Sequence, residues 1–304
     1  MQALSLRQKV KGLSKIIRIG VESGPSAFWQ AHYTQEQLQA VGIASEFTIF
    51  TPKAGGGQVG VSGHNIPELE AALLRGDIQV AAHAMKCLPV RQPEGLAITA
   101  VSRREDPAEW LLIRRESLQK EFLFQLKEKA VVMASTPLRQ AQLLDFRPDL
   151  SVQDSSGELP ARLQQLQEGS FDAILLPAAS LIRLKIDISE FQTVKFSPRE
   201  LVPAPAQGVL AWQTCADDKA TRRIFKALHQ SDVSMLTNVE RRIQSLWEDG
   251  LPAALGAYCE RDAAGNYHVW AAWASSGQGP VKRVRLSQST SHRLAERVVE
   301  ALKG

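Results

Sequence analysis

Two stretches of this chain alternate apolar strand-like runs with amphipathic helical segments, and that alternation constrains the fold more than any other feature. In the first stretch "IIRIG" (16–20) is a strand. "SAFWQAHYTQEQLQAVG" then places Phe28, Ala31, Leu38 and Val41 on one helical stripe closed by Gly42. "EFTIF" (46–50) is the next strand, "IPELEAALLRG" a helix with Pro67 in its first turn and Gly76 past its end, and "DIQVAAHAM" a third strand. A second stretch starts near residue 130. There "AVVMAS", "LSVQDS" and "FDAILLP" are strands, and "PLRQAQLLDFR", "LPARLQQLQEG" and "AASLIRL" are helical. Such alternation predicts α/β domains, each with a central, mostly parallel sheet.

From about residue 221 the texture changes. Residues 221–247 form one long helical run, "YHVWAAWAS" and "VKRVRLS" alternate like antiparallel strands, and "SHRLAERVVEALKG" is an amphipathic closing helix. Domain 1 is expected to combine 16–105 with 202–220, domain 2 to cover 106–201, and a small α+β domain 3 with an antiparallel sheet to cover 221–304. A chain of 304 residues accommodates them, at roughly 100–200 residues per domain.

Composition narrows the function classes. A formal charge of +4 and a pI near 9.0 suit an anionic ligand but not a dedicated nucleic-acid binder. Cys87, Cys215 and Cys259 are too scattered for a disulfide framework or a CxxC metal site, which points to reduced thiols in a cytoplasmic protein. The six histidines show no ligand spacing, so no metal is expected. No apolar run reaches the roughly 18–20 residues of a membrane span. The basic opening, "MQALSLRQKVKGLSKIIR", reads as a surface extension before the first strand. The glycine-rich "KAGGGQVGVSGHN" (53–65) lacks the Gly-Lys-Ser/Thr ending of a phosphate loop and reads as a plain loop. The chemistry-bearing corner is "VAAHAMKCLPV" (80–90), a buried strand running into a turn that carries His83, Lys86 and Cys87.

Six segments in order carry a family resemblance: "RIGVESGPSAFWQAHY", "DIQVAAHAMKCLPV", "LRQAQLL…RPDL", "GSFDAILLPAASLIRL", "PAPAQGVLAW" and "VERR…LGAYCERD". After residue 15 the chain resembles porphobilinogen deaminase (hydroxymethylbilane synthase) over essentially its whole length. The resemblance implies two periplasmic-binding-protein-like α/β domains plus a small cofactor-carrying domain. It also implies a tetrapyrrole-forming condensation of a dicarboxylate pyrrole on a covalent dipyrromethane primer. Arginine rows would hold the carboxylates. An aspartate would stabilise the cationic pyrrole left by ammonia loss, and a cysteine thioether would tether the growing chain.

Several of those functional positions differ here. Where the family has His-Ser-Met-Lys-Asp-x-Pro, this chain has His83, Ala84, Met85, Lys86, Cys87, Leu88 and Pro89, so Cys87 stands at the acid's position. An unperturbed thiol, with a pKa of about 8.5, is mostly neutral near pH 7, so Cys87 reads as a small half-buried residue, with a reactive thiolate favoured by flanking Lys86 as the alternative. Leu251 stands at the cofactor cysteine's position, and Cys259, eight residues later in a strand, reads as a core thiol. The family's Thr-Arg-x-Ser becomes Val21, Glu22, Ser23 and Gly24, which reverses one charge. Its Ser-Ser-Leu-Arg-Arg becomes Ser135, Thr136, Pro137, Leu138 and Arg139, and Ser156 replaces the arginine of Arg-Gly-Asn. Retained candidates for an anion-binding cleft are Lys86, Arg139, Arg162, Arg183 and Gln207, the last now preceded by Ala206 instead of glycine. Arg139, Arg162 and Arg183 each read equally as an anion ligand or as part of a solvated helix face or a structural ion pair.

Three readings follow. The first is a deaminase homologue with lost or strongly altered chemistry and no cofactor, which binds a small anionic ligand or partners a tetrapyrrole-pathway protein. The second is an active hydroxymethylbilane synthase with a non-standard primer site. The third is an anionic small-molecule module outside the pathway. The sequence sets no oligomeric state.

Overall fold

A computed structural model describes residues 16–51, 66–154, 157–247 and 254–304. The basic opening before residue 16, the glycine-rich loop, Ser156 and Leu251 lie outside the described residues. The chain divides into two compact units, Met1–Arg104 with Val209–Ser234, and Glu105–Gly208 with Met235–Gly304.

The first unit holds β1 (Ile17–Glu22), α1 (Pro25–Ala40), β2 (Ser45–Phe50), α2 (Ile66–Arg75), β3 (Val80–Ala84) and β4 (Leu96–Val101). To these the returning chain adds β10 (Leu210–Cys215) and α6 (Lys219–Leu228). The strand order is β2-β1-β3-β10-β4, with β1, β2 and β3 parallel and β10 antiparallel to both its neighbours. β3 is apolar except for His83 and is buried from Val80 to His83, as suits a strand in the middle of the sheet. Positive φ at Gly42 and Gly76 lets the chain leave α1 and α2, as the sequence predicts.

Two details of this unit depart from the sequence expectation. The buried stripe of α1 is Ala27, Ala31, Thr34 and Leu38, whereas Phe28 is exposed. Thr34 tolerates burial because its hydroxyl donates to the Gln30 carbonyl (2.7 Å) and accepts from the Trp212 indole N–H (2.9 Å). The run 221–247 is also two helices rather than one. His229 is extended at the end of α6, its Nδ1 accepts from the Val101 N–H (3.3 Å), and the Gln230 N–H donates to the Val101 carbonyl. Bonding to β4 displaces the helical continuation, and α7 begins afresh at Ser231 (Ser231–Leu246).

The second unit repeats the sheet topology. It contains β5 (Glu109–Ile113), β6 (Val131–Met133), α3 (Pro137–Phe146), β7 (Ser151–Gln153) and α4 (Leu159–Gln167). β8 (Ala173–Pro177), α5 (Ala178–Arg183) and β9 (Gln192–Lys195) complete it. Its order, β7-β6-β8-β5-β9, again sets a parallel trio beside an antiparallel strand. β4, β5, β9 and β10 escape the sequence reading because no amphipathic helix follows β4, β5 or β9 to announce them, and β10 comes only after the chain returns.

This unit also carries an antiparallel sheet of β11 (Ala254–Arg261), β12 (Tyr267–Ala274) and β13 (Lys282–Gln288), followed by α8 (Leu294–Lys303). One face of that sheet, including Leu255, Ala257, Cys259 and Val269, packs with Val239 and Ile243 of α7 and with Val298 and Leu302 of α8. The fold is therefore α/β with two mixed five-stranded sheets and a small antiparallel one, as expected. Among the described residues no helix is long and apolar enough to cross a membrane.

Candidate functional site

In open α/β sheets ligands gather beyond the carboxyl ends of the parallel strands. The sequence-predicted positions sit there in each unit. In the first unit β1 and β3 are paired at Ile19 with Val80 and Gly20 with Ala81, so their carboxyl ends lie side by side. Glu22 closes β1, and Gly24 precedes Pro25 at the start of α1. β3 runs into a single 3-10 turn, Met85–Cys87, whose Met85 N–H donates to the Val209 carbonyl (2.9 Å). His83 and Met85 are buried, and Lys86 and Cys87 are half-buried. The corner is thus a rigid turn that presents one cation and one thiol, on an edge that Glu22 also occupies.

The second unit's edge is bonded through its side chains. Thr136 caps α3, its hydroxyl accepting from the Arg139 N–H (3.3 Å). Arg139 is buried, and its Nε and Nη2 both reach Oε1 of Glu109, at 3.0 and 2.9 Å. Gln207 donates to the same oxygen (3.0 Å) and to the Pro107 carbonyl (2.8 Å). Three donors thus crowd one oxygen, while Glu109 Oε2 is buried without a hydrogen-bond partner among the described residues. Nη1 of Arg139 and Nη1 of Arg162 each lie 3.3 Å from the Ser135 hydroxyl. Arg162 also donates to the Gly157 carbonyl (2.7 Å). Burial pushes the Arg162 pKa down and the like charge of Arg139 adds to this, while Asp154 and Glu158 pull the other way.

Three other sequence-predicted positions, Arg183, Leu138 and Cys259, lie among the described residues. Arg183, at the end of α5, donates through Nη2 to the Gly208 carbonyl. Leu138 is packed in an apolar cluster with Ala141, Ala254 and Ala274. Cys259 is fully buried on the inner face of β11. Its N–H donates to Glu240 (2.8 Å), which also accepts from the Ala206 N–H (2.7 Å). Ala206 itself has a φ of +63°, a left-handed conformation costly for a residue with a Cβ. Among the described residues no group of three or more His, Cys, Asp or Glu is placed to hold a metal ion.

Sequence reasoning places Arg139, Arg162 and Gln207 without showing that they meet, and it misses Glu109. The available signal was a lone acid leading the apolar run Trp110–Ile113.

Comparison with known proteins gives a consistent family result. Residues 17–223 match the family model described as porphobilinogen deaminase, dipyromethane cofactor binding domain. The porphobilinogen deaminase of Chloroherpeton thalassium is 33% identical over 264 residues, covering 84% of this chain and 82% of that protein. Among solved structures, the probable amino-acid ABC transporter extracellular-binding protein YtmK of Bacillus subtilis aligns with a TM-score of 0.45 at 13% identity, over 78% of this chain and 99% of that one. A periplasmic substrate-binding protein of an ABC transporter from Coxiella burnetii aligns with a TM-score of 0.44 at 15% identity, over 72% of this chain and 94% of that one.

Proposed function

The chain belongs to the porphobilinogen deaminase family, and from that premise we propose that it is a tetrapyrrole-pathway protein which binds rather than condenses. Its ligand is a small anion or its partner another protein of the pathway, and it works in the cytoplasm. The observation that carries this reading is the turn Met85–Cys87. The turn that should present an acid to the pyrrole is built, with Met85 buried, yet the side chain at the acid's position is Cys87.

The surrounding residues support the same reading. Ammonia loss from porphobilinogen needs an anion beside the developing cation, and Cys87 brings no carboxylate there. Arg139, the retained member of an arginine pair, is already bonded to Glu109 inside its own unit. Leu138, at the other position of that pair, is part of an apolar cluster and offers no donor. The residues present also fit a covalent dipyrromethane poorly. Of the cysteines, Cys259 lies nearest in sequence to the family's attachment position, but its sulfur is sealed in the core between β11 and the helices.

Intact mass spectrometry of the purified protein, combined with a uroporphyrinogen assay on porphobilinogen, tests the proposal. The expected result is an unmodified mass and no product above the uncatalysed background. A dipyrromethane adduct together with product formation would overturn it.

A further inference from the structure

The buried pair Glu109–Arg139 has a consequence for ligand strength. Nε and Nη2 of Arg139 are occupied by Glu109, and only Nη1 faces the Ser135 hydroxyl, where the Arg162 guanidinium also arrives. An oxyanion seated at Ser135 therefore meets Arg162 in full and Arg139 with its charge largely cancelled. The Arg139–Glu109 pair is nearly sealed from water, so solvent screens this cancellation weakly. Asp154 and Glu158 also act on Arg162, but both are exposed.

We infer that Glu109 is a resident counter-anion, a positioning residue that acts through Arg139 to weaken the hold of the second unit's edge on a small oxyanion at Ser135 and Arg162. The inference rests on the binding role proposed above and adds what sets its strength. Its signature is a gain: removing the charge of Glu109 leaves a buried guanidinium that an external anion then satisfies. A purely structural role for Glu109 predicts no such gain.

The test is calorimetric titration of the full chain with inorganic phosphate at low ionic strength. Glu109→Gln is expected to bind phosphate about tenfold more tightly than the parent, equivalent to about 1.4 kcal/mol. Glu109→Asp should stay within about twofold of the parent, since it keeps the charge; on the same scale that is well under 1 kcal/mol. Adding Arg139→Gln to Glu109→Gln should remove the gain. If Glu109→Gln does not fold in phosphate-free buffer, phosphate should restore folding where sodium chloride of equal ionic strength does not. Equal or weaker binding by Glu109→Gln, phosphate binding by none of the proteins, or restoration by chloride alone would each overturn the inference. Turnover of porphobilinogen by the parent would instead overturn the binding role and leave the affinity ratio between the two proteins unaffected.

Discussion

The carboxyl edges of the two five-stranded sheets are products of one topology, a parallel trio flanked by an antiparallel strand, yet their chemistry has diverged in opposite ways. In the first unit a backbone bond, Met85 N–H to the Val209 carbonyl, anchors the turn that carries Lys86 and Cys87, and Glu22 ends the neighbouring strand on the same edge. In the second unit the side chains are the frame. Glu109, Arg139, Gln207, Ser135 and Arg162 form one connected network, much of it buried. A site whose frame is backbone can lose its reacting group and keep its shape. A site whose ligands bond to each other keeps its shape only while those ligands stay committed internally.

The largest expected effect separates the two edges directly. Arg139→Ala strands the Glu109 carboxylate in the interior and should destabilise the protein by about 3–5 kcal/mol. Cys87→Ala, a small change at a half-buried position, should change stability by less than about 1 kcal/mol. Urea unfolding of both variants checks this, and comparable losses would erase the distinction.

Restoring a lost cation should fail for a reason visible in the packing. Leu138→Arg drives a charge into the cluster with Ala254 and Ala274. It should cost at least about 2 kcal/mol, read as a lowered melting temperature with no gain in phosphate affinity. A variant that is neutral in stability and binds phosphate more tightly would show that the cluster yields to an anion site.

His229 gives the first unit a pH dependence of its own. Burial lowers the pKa of His229, whose neutral Nδ1 accepts from the Val101 N–H. Because the folded pKa is depressed, this stabilisation is complete above the unfolded pKa of about 6.5 and is lost as the pH falls from there toward the folded value. The melting temperature should therefore decline below about pH 6.5 in the parent and decline less in His229→Gln. Identical slopes would remove His229 from the account.

The smallest effect concerns the second unit's network. Ala206→Gly relieves the left-handed backbone at an amide held by Glu240. It should stabilise by up to about 1 kcal/mol, offset in part by added chain entropy. Destabilisation would mean that the Ala206 methyl group contributes more by packing than its backbone costs.

How much of this was legible in the sequence follows from the range of the signals. α2 and α3 declare themselves by period and by their terminal residues, β8 by an unbroken apolar run and β3 by an apolar run broken only at His83. The break between α6 and α7 did not, because it is made by Val101, more than a hundred residues earlier. Arg139 illustrates the limit for the site. Its sequence position is consistent with an anion ligand or an ion pair, and only the pairing of β5 with β8 brings Glu109 into the sheet beside it. Ala206 likewise reads as a mild change from glycine until its φ is known.

On the proposed function, the frame is kept while the chemistry is missing at several independent places. The double variant Cys87→Asp with Leu251→Cys tests it most directly, by hydroxymethylbilane formation from porphobilinogen. With Glu22, Leu138 and Ser156 still in place, the predicted rate stays at or near background. Substantial turnover by the double variant would contradict the account and show that an acid and a thiol are all this fold lacks.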